Sequence, residues 1–368
     1  MASERDRVGI ALLSFAHGHA QQHARILSGH ADVDYLVCWD DVPERGRRSA
    51  AQHGIPWEPD LGRLLSDNRV DGVIITTETN RHPEFCEAAA TAGKDILCYK
   101  PMATTLDGCD RIIAAARNAR VQLMVGHQMV FDPVNIRMKE LVDSGVIGAV
   151  SLLRRRHCIN VLLNPRFVQG DSRWHLDETA NVGMFFDDSV HATMWIRWML
   201  GDPVSVTAEI DNTITDVAPD DTGVAIYRFR SGAFAVLTNQ SVTVAAENTT
   251  EIYGERGTII QNFGDAVSSS IPRTATDVAL KLHIAGDGEP HWQDLGMDQH
   301  TPHQDRIAAV ALRYVDMLMG RRAAWPSGDD GRWAVAMALG AYQSARSGRR
   351  VPFPLVHDGA GPHVIEPS

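Results

Sequence analysis

Residues 8–20 read VGIALLSFAHGHA, and this stretch decides the fold of the first part of the chain. Its first six residues are an unbroken apolar run, which is typical of a strand covered on both faces. Small residues follow at a turn, and helical spacing begins a few positions after Gly18. A buried strand that leads directly into a helix predicts the first unit of a parallel sheet.

The same pattern repeats as far as residue 125. Four further apolar runs predict strands at 33–39, 70–75, 96–98 and 121–125, and helical spacing predicts helices at 21–27, 43–53, 83–92 and 106–119. Alternating strands and helices of this kind build a doubly wound parallel sheet. Residues 1–128 are therefore predicted to form an α/β domain.

The pattern changes after Pro133. A helix is predicted at 134–144 and a strongly apolar one at 184–200, while β-branched runs and turn signals predict antiparallel strands at 204–210, 224–229, 234–244 and 249–253. Late helices are predicted at 304–319 and 331–345. Residues 129–368 are thus predicted to form an α+β domain with an open, mostly antiparallel sheet, whose last helices are expected to pack back on the first domain.

Composition excludes several classes of partner. The 368 residues carry 35 Lys and Arg against 46 Asp and Glu, a net charge of −11, which opposes binding to a nucleic-acid backbone. The basic triplet 154–156 is expected to be an exposed strand end. No apolar run approaches the ~20 residues of a membrane-spanning helix, and the first residues lack a signal-peptide core. We expect a cytoplasmic protein with neither a membrane nor a nucleic-acid partner.

The cysteines are predicted to be reduced and buried. Their number is odd, no two have C-x-x-C spacing, and most lie in apolar patterns, which disfavours both disulfides and zinc sites. They are Cys38, Cys86, Cys98, Cys109 and Cys158.

The turn after the first strand is a candidate phosphate-binding loop. Backbone N–H groups and a helix N-terminus at such a turn hold a dinucleotide pyrophosphate, usually with several glycines for close approach. Here Gly18 is the only glycine of the turn, although Ala16 is also small. Phe15 belongs to the same turn, and His17 and His19 offer side-chain donors to phosphate.

The histidines of this turn allow two other interpretations. His17, His19 and His23 resemble the metal-binding start of a barrel hydrolase, but that fold needs eight strand-helix units, and the antiparallel second half argues against it. They are also compatible with plain surface histidines. No metal is therefore expected.

Two acids follow the second predicted strand. Asp40 lies about twenty residues beyond Gly18, where an acid accepts hydrogen bonds from the adenosine ribose and repels a 2′-phosphate. With Asp41 adjacent, NAD is favoured over NADP. The alternative is a turn-forming pair before Pro43.

A lysine, an acid and a histidine form the strongest constellation. Lys100 follows a predicted strand, so it lies at the carboxyl edge of the sheet, where ligands bind. Asp187 and His191 are four residues apart on the apolar helix and share one face. A histidine in such a helix is usually a core residue, but its pairing with an acid and a sheet-edge lysine favours a catalytic site.

Four segments, 74–82, 92–101, 144–148 and 187–203, occur in an order and spacing that resemble the Gfo/Idh/MocA oxidoreductases, the group of glucose-fructose oxidoreductase and inositol dehydrogenase. The resemblance extends from Val8 to about Pro354. It implies an amino-terminal Rossmann domain, a carboxy-terminal open-faced sheet, and oxidation of sugars, cyclitols or their derivatives with NAD or NADP.

The resemblance also implies residue roles. His191 corresponds to the general base that takes the hydroxyl proton, and Lys100 to the group that binds that hydroxyl and stabilises the growing negative charge. Asp187 corresponds to the acid that holds substrate or orients His191. Trp174 is expected near the nicotinamide. Further residues are expected to contact the cofactor, namely Thr76, Thr77, Asn80, His82, Tyr99 and Gln128.

Three features depart from the family pattern. The glycine-rich turn is largely replaced, Tyr99 stands where an acid usually precedes the lysine, and Asp188 stands beside Asp187. They leave open how the pyrophosphate is held, how Lys100 is oriented and whether Asp188 takes part.

The leading hypothesis is an NAD-dependent dehydrogenase acting on a secondary alcohol of a sugar, glycoside or cyclitol. The alternatives are redox-neutral glycoside cleavage or elimination with tightly bound NAD, a non-catalytic sensor of dinucleotide or sugar, and a metal hydrolase. The unpacked face of the second sheet predicts a homodimer or homotetramer. Loops at 160–173 and 264–298 are expected to set specificity.

Overall fold

The computed structural model describes residues 7–245, 248–262, 277–286, 288–297 and 302–355. Its first sheet consists of β1 (Val8–Leu13), β2 (Val33–Trp39), β3 (Gly72–Ile75), β4 (Asp95–Tyr99) and β5 (Leu123–Gly126). Neighbouring strands are parallel, in the order β2-β1-β3-β4-β5. All six residues of β1 are buried, as its unbroken apolar run predicts. The predicted Rossmann-type sheet is confirmed.

Helices connect these strands and cover both faces of the sheet. They are α1 (His19–Leu27), α2 (Pro43–His53), α3 (Leu61–Ser66), α4 (His82–Thr91) and α5 (Leu106–Ala119). Helix α6 (Pro133–Asp143) follows β5, and its apolar residues pack in the cluster of the second sheet instead. Helix α3 was not predicted, because six residues are too few to show helical periodicity. Its start is set locally, since the Asp60 side chain accepts a hydrogen bond from the Arg63 amide.

The second sheet is large and mixed. Its strands are β6 (Val150–Cys158), β7 (Pro203–Asp211), β8 (Thr222–Phe229), β9 (Phe234–Gln240), β10 (Asn248–Gly254), β11 (Gly257–Gln261), β12 (Leu280–Ile284), β13 (Gln293–Asp294) and β14 (Val351–Pro352). Within the described residues they are ordered β13-β12-β11-β10-β6-β9-β8-β7-β14. Only the β6–β9 pair among these is parallel, so the predicted, mostly antiparallel sheet is confirmed.

One face of the second sheet packs against helix α9 (Met184–Leu200). Two short helices, α7 (Pro165–Gln169) and α8 (Glu178–Asn181), precede α9. Fourteen of the residues of α9 are buried, which explains why the sequence is apolar almost all round. The carboxyl end of β4 and the start of α9 face each other, and this junction positions the site described below.

The prediction that the basic triplet 154–156 is an exposed strand end is wrong. The triplet lies inside β6 rather than at an exposed strand end, and Arg155 is fully buried. Alternation along the strand turns Arg155 inward, where it donates hydrogen bonds to Thr250 (2.7 Å) and Gln261 (3.0 Å). Its guanidinium carbon lies 5.1 Å from the ring centroid of Trp195. The strand predicted at 234–244 also ends earlier, at Gln240.

The last two helices pack on the first sheet. They are α10 (His303–Leu318) and α11 (Gly328–Ser347). The Tyr314 hydroxyl of α10 donates to the Asp95 carbonyl at the start of β4 (2.6 Å). Apolar residues of α10 and α11 share clusters with β1, β4 and β5.

Two further expectations concern the chain as a whole. All five cysteines are buried and unpaired, as predicted. Among the residues described here, no helix combines the length and apolar character that a bilayer crossing requires.

Candidate active site

The amino end of α9 is held by two residues that sequence analysis did not identify. Asp220 accepts a hydrogen bond from the Phe185 amide (2.6 Å) and another from the Tyr342 hydroxyl of α11 (2.6 Å). A Cβ at Gly183 would lie 2.1 Å from an Asp220 oxygen, so this approach requires glycine. The helix that carries Asp187 is therefore fixed from two sides.

Lys100 and Asp187 meet at this point. The Lys100 Nζ lies 3.3 Å from both carboxylate oxygens of Asp187, and both side chains are buried. Lys100 follows β4 and Asp187 lies in the first turn of α9, so the ion pair joins the two halves of the chain. A buried pair of this kind holds the ammonium in one place while its remaining hydrogens stay available to a ligand.

His191 lies one turn further along α9 and is 8% exposed. Within the described part of the chain its Nδ1 has no hydrogen-bond partner. Burial, and then the positive charge of Lys100, hold the pKa of His191 well below its usual range. The imidazole is therefore neutral at pH 7, which is the form that accepts a proton.

A cavity of about 230 Å³ connects these groups. Seven of the predicted site residues line it, namely His17, Gly18, His19, Lys100, Gln128, Asp187 and His191. Asp188 lines it as well. The lysine of the first half and the histidine of the second half thus face one space, as the catalytic hypothesis requires. Val161, Phe167 and Ser172 of the loop at 160–173 also reach it. Residues 264–276, 287 and 298 of the second predicted specificity loop lie outside the described residues.

Most backbone N–H groups of the turn between β1 and α1 donate hydrogen bonds within the protein. The Phe15 amide donates to Asp40 (2.8 Å), the Ala16 amide to the Ser14 hydroxyl (3.1 Å) and the His17 amide to the Thr76 carbonyl (3.0 Å). The Gly18 amide has no acceptor among the residues that the structure describes. Ser14 adopts a positive φ of 76°, a conformation that glycine usually supplies.

This turn fits a pyrophosphate. A Cβ added at Gly18 would meet nothing within 4 Å, so there is open space above its free amide. Helix α1 has no acidic residue in its first turn and no side-chain cap at its start. Its N-terminal dipole is therefore free to stabilise an anion.

Aromatic side chains enclose the turn. The His19 Nδ1 lies 2.6 Å from the Tyr99 hydroxyl. Burial holds the pKa of Tyr99 well above, and that of His19 well below, its usual value, so the phenol donates to a neutral imidazole. The Trp174 indole donates to the Ala16 carbonyl (3.1 Å) and stacks on His175, with ring centroids 3.6 Å apart. The predicted Trp174 thus contacts the turn directly.

Asp40 is enclosed by its own hydrogen bonds. Besides the Phe15 amide, its carboxylate accepts from the Val42 amide (2.9 Å) and from Arg45 (2.8 Å), and its side chain is 0% exposed. Asp41 is the more exposed acid, at 20%, and pairs with Arg45 and Arg81. The ribose role of Asp40 stays a prediction; its geometry shows that it also fixes the turn.

The remaining predicted cofactor residues occupy different depths. Thr76 is fully buried and donates to the Ser14 carbonyl (2.7 Å), and Thr77 is buried beside it. His82 is also buried, and its ring nitrogens lie 2.9 Å from the Pro101 carbonyl and 3.2 Å from the Thr77 carbonyl. It therefore links the segments after β3 and β4 and does not line the cavity. Asn80 is exposed.

The cavity has lining residues that sequence reasoning missed. His157 and Asn248 come from β6 and β10 and lie directly opposite each other in the sheet. His175 and His303 are also in the wall. His175 lies in the segment 174–177, next to the predicted Trp174, whereas no local motif marks His157, Asn248 or His303, because contacts between distant segments bring them to the cavity. Among the described residues, no three His, Cys, Asp or Glu side chains are arranged to hold a metal ion, and a five-stranded open sheet is not the hydrolase barrel.

Two family models match the chain. Residues 8–127 match the model described as an oxidoreductase family with an NAD-binding Rossmann fold, and residues 136–260 match the GFO/IDH/MocA C-terminal domain. Inositol 2-dehydrogenase 2 of Saccharopolyspora erythraea is 33% identical over 343 residues, which cover 90% of this chain and 92% of that protein. The 1,5-anhydro-D-fructose reductase of Ensifer adhaerens is 28% identical, over 83% of this chain and 87% of its own length.

A solved structure shows the same fold. Levoglucosan dehydrogenase in complex with NADH and levoglucosan superposes with a TM-score of 0.81 at 18% identity, over 95% of this chain and 100% of that one.

Proposed function

Because the chain belongs to the Gfo/Idh/MocA family of NAD-binding oxidoreductases that act on CH–OH groups, we propose that it oxidises a secondary alcohol of a sugar, glycoside or cyclitol with NAD. The observation that supports this most is that Lys100, Asp187 and His191 line one cavity next to the pyrophosphate-type turn. When bound, NAD supplies the hydride acceptor.

The chain's own residues handle the proton and the charge. His191 is neutral and unpartnered at Nδ1, so it takes the proton of the substrate hydroxyl as general base. Lys100 donates a hydrogen bond to the same oxygen and stabilises its growing negative charge. Asp187 holds Lys100 in position and balances its charge.

The acids after β2 select the cofactor. Asp41 offers the exposed carboxylate and Asp40 holds the turn that carries Phe15, so the pair presents negative charge where a 2′-phosphate would lie. The positive charge of Arg45 is already committed to both acids. NAD is therefore the preferred cofactor, and NADP the weaker ligand.

The test is the absorbance of NADH near 340 nm when protein, NAD and a panel of cyclitols, sugars and glycosides are mixed. We expect NADH formation with at least one ring polyol and slower formation with NADP. Binding of NAD without reduction by any member of the panel would contradict the dehydrogenase function. Glycoside cleavage without NADH accumulation would support the redox-neutral alternative instead.

The outer face of the second sheet is the proposed subunit contact. Val224 and Ile226 of β8 are 39% and 41% exposed there, on the face away from α9. Apolar side chains on an open sheet face are usually buried by another subunit. Light scattering should give the mass of a homodimer or homotetramer, and Ile226→Glu should lower it; a monomeric mass for the wild type would contradict this.

A further inference from the structure

Asp188 is a buried acid that the reaction described above does not use. It follows Asp187 on α9, is 6% exposed and lines the same cavity as Lys100 and His191. Its Oδ2 accepts a hydrogen bond from the Ser241 hydroxyl (2.8 Å). Within the described residues its Oδ1 has no donor, so one oxygen of this carboxyl is left for a ligand.

Ser241 is the one hydrogen-bond donor that the described residues offer to the Asp188 carboxyl. A carboxyl in a largely buried position is costly when only one of its oxygens has a protein donor, and an apolar residue would fill the same position on α9 without that cost. Among the described residues, the ammonium that acts on Asp188 is that of Lys100, and it is already bonded to both oxygens of Asp187. The missing hydrogen-bond partner must therefore come from what enters the cavity.

The position of Asp188 relative to His191 suggests which part of the substrate it meets. The two residues are three apart on α9, so they are neighbours on the helix surface, with Cβ atoms about 5–6 Å apart. A ring whose reacting hydroxyl lies at His191 brings a second, nearby hydroxyl toward Asp188. Ser241 keeps the carboxyl in a fixed orientation for this contact.

The chemistry of the carboxyl favours a hydroxyl as partner. Burial, and then the charge of Asp187, raise the pKa of Asp188 to about 7, so both protonation states are populated near neutral pH. A hydroxyl both donates and accepts, so it satisfies either state. An ammonium only donates, and a carboxylate only accepts when ionised.

We propose that Asp188 is a specificity-determining residue that binds a second substrate hydroxyl adjacent to the one that is oxidised, so that the enzyme selects ring polyols with vicinal hydroxyls. This inference rests on the proposed dehydrogenase function, because it places the oxidised hydroxyl at His191. It adds a residue that reads the substrate rather than one that moves a proton or hydride.

The experiment measures binding and turnover separately. The probes are myo-inositol, its monodeoxy analogues, which each lack one hydroxyl, and the matching amino analogues. Calorimetric titration into the NADH-loaded protein measures affinity without reaction. The variants are Asp188→Ala and Asp188→Asn, with Glu178→Gln as the control, because Glu178 is an exposed acid on α8 outside the cavity.

The wild type should bind myo-inositol about 10–100-fold more tightly than one of the monodeoxy analogues, as expected for loss of a hydrogen bond to a charged group. Asp188→Ala should bind the parent compound as weakly as that analogue and should no longer distinguish the two. Asp188→Asn should raise KM while changing kcat by less than about threefold, since no proton transfer is lost. Glu178→Gln should behave as wild type, and all variants should bind NADH equally.

Several results would overturn the inference. They are a wild type that binds no cyclitol or binds every deoxy analogue as tightly as the parent, an Asp188→Ala variant that keeps the discrimination, and an amino analogue that binds more tightly than the parent, which would assign the site to an ammonium. Turnover of myo-inositol with unchanged discrimination in Asp188→Ala would remove only this inference. Discrimination in binding without NADH formation would remove only the proposed function.

Discussion

The turn after β1 and the first turns of α9 treat buried polar groups in opposite ways. In the turn, the amides of Phe15, Ala16 and His17 are all bonded within the protein, and Gly18 keeps the open one. On α9, the His191 Nδ1 is buried without a hydrogen-bond partner among the described residues, and only one oxygen of the Asp188 carboxyl has a donor there. The turn is thus already in one conformation for the pyrophosphate that we propose it binds. On the helix, each buried polar group without a partner lowers the free energy of unfolding by about 1–3 kcal/mol. Such a group stays available for the reacting molecule.

The largest expected effect breaks the α9 side of this comparison. His191→Ala should lower kcat by roughly 10²–10⁴-fold, the loss typical of a missing general base. NAD binding should be largely intact, because the turn is untouched. Steady-state kinetics and fluorescence titration with NADH check this, with the exposed His291→Ala as control. Unchanged turnover would remove His191 from the mechanism.

Lys100 joins the two regions, so its removal should affect both activity and stability. Lys100→Met should lower kcat by about 10²–10³-fold, as for loss of a donor to a developing oxyanion. It should also lower the free energy of unfolding by about 3–5 kcal/mol, because Asp187 is left buried and unpaired.

The double variant Lys100→Met with Asp187→Asn separates these two effects. It should regain most of the stability in a denaturant titration while activity stays low. Recovery of activity in the double variant would show that Lys100 serves the fold and not the reaction.

The acids after β2 sharpen the comparison from the side of the turn. Asp41→Asn should reduce the preference for NAD over NADP by about tenfold, or about 1.4 kcal/mol, with little change in stability. Asp40→Asn should weaken NAD binding and also lower the melting temperature, because Asp40 holds Arg45 and the Phe15 amide. Titrations with both dinucleotides and thermal melts test the pair. If neither variant changes NAD affinity, the ribose assignment is wrong.

The smallest expected effect is the change of kcat between pH 7 and pH 6. A base with an ordinary histidine pKa near 6.5 would lose about threefold in activity between pH 7 and pH 6. Burial lowers the pKa of His191, so the neutral form persists and kcat should fall by less than that.

Several groups around His191 also contribute to the profile. Lys100, His157, His127 and His19 lower its pKa, and Asp188 titrates in the same range with a pKa of about 7. The profile should therefore be measured in wild type and in Asp188→Asn. A threefold loss of kcat between pH 7 and pH 6 in both proteins would show that the pKa of His191 is not lowered.

Local patterns were sufficient to predict the strands of the first sheet and helix α9. The predicted bounds 8–13, 33–39, 43–53, 106–119 and 184–200 match β1, β2, α2, α5 and α9. Unbroken apolar runs and capping residues are local signals, so one sequence carries them. Lys100, Asp187 and His191 were identifiable for the same reason, since a strand end and an i, i+4 spacing are both local.

The parts that were missed depend on distant partners. Strand β6 was missed because Arg155 faces inward, which breaks the usual alternation of apolar and polar residues. The partners that allow this, Thr250 and Gln261, lie about a hundred residues away in the sequence. His157 and Asn248 enter the cavity only because β6 pairs with β10. The enclosure of Asp40 likewise depends on Arg45 folding back over it, which spacing does not reveal.

The packing of α10 and α11 on the first sheet has a consequence for how this protein can be divided. Residues 1–128 contain the whole parallel sheet. However, Tyr314 and its neighbours on α10 supply much of the apolar packing on one face of that sheet, and Ala334 to Ala338 of α11 contribute to the packing on the other face. A fragment cut after residue 128 would expose these flanks to water. We therefore expect the dinucleotide-binding half to be insoluble when expressed by itself and to be rescued by co-expression of the carboxy-terminal half.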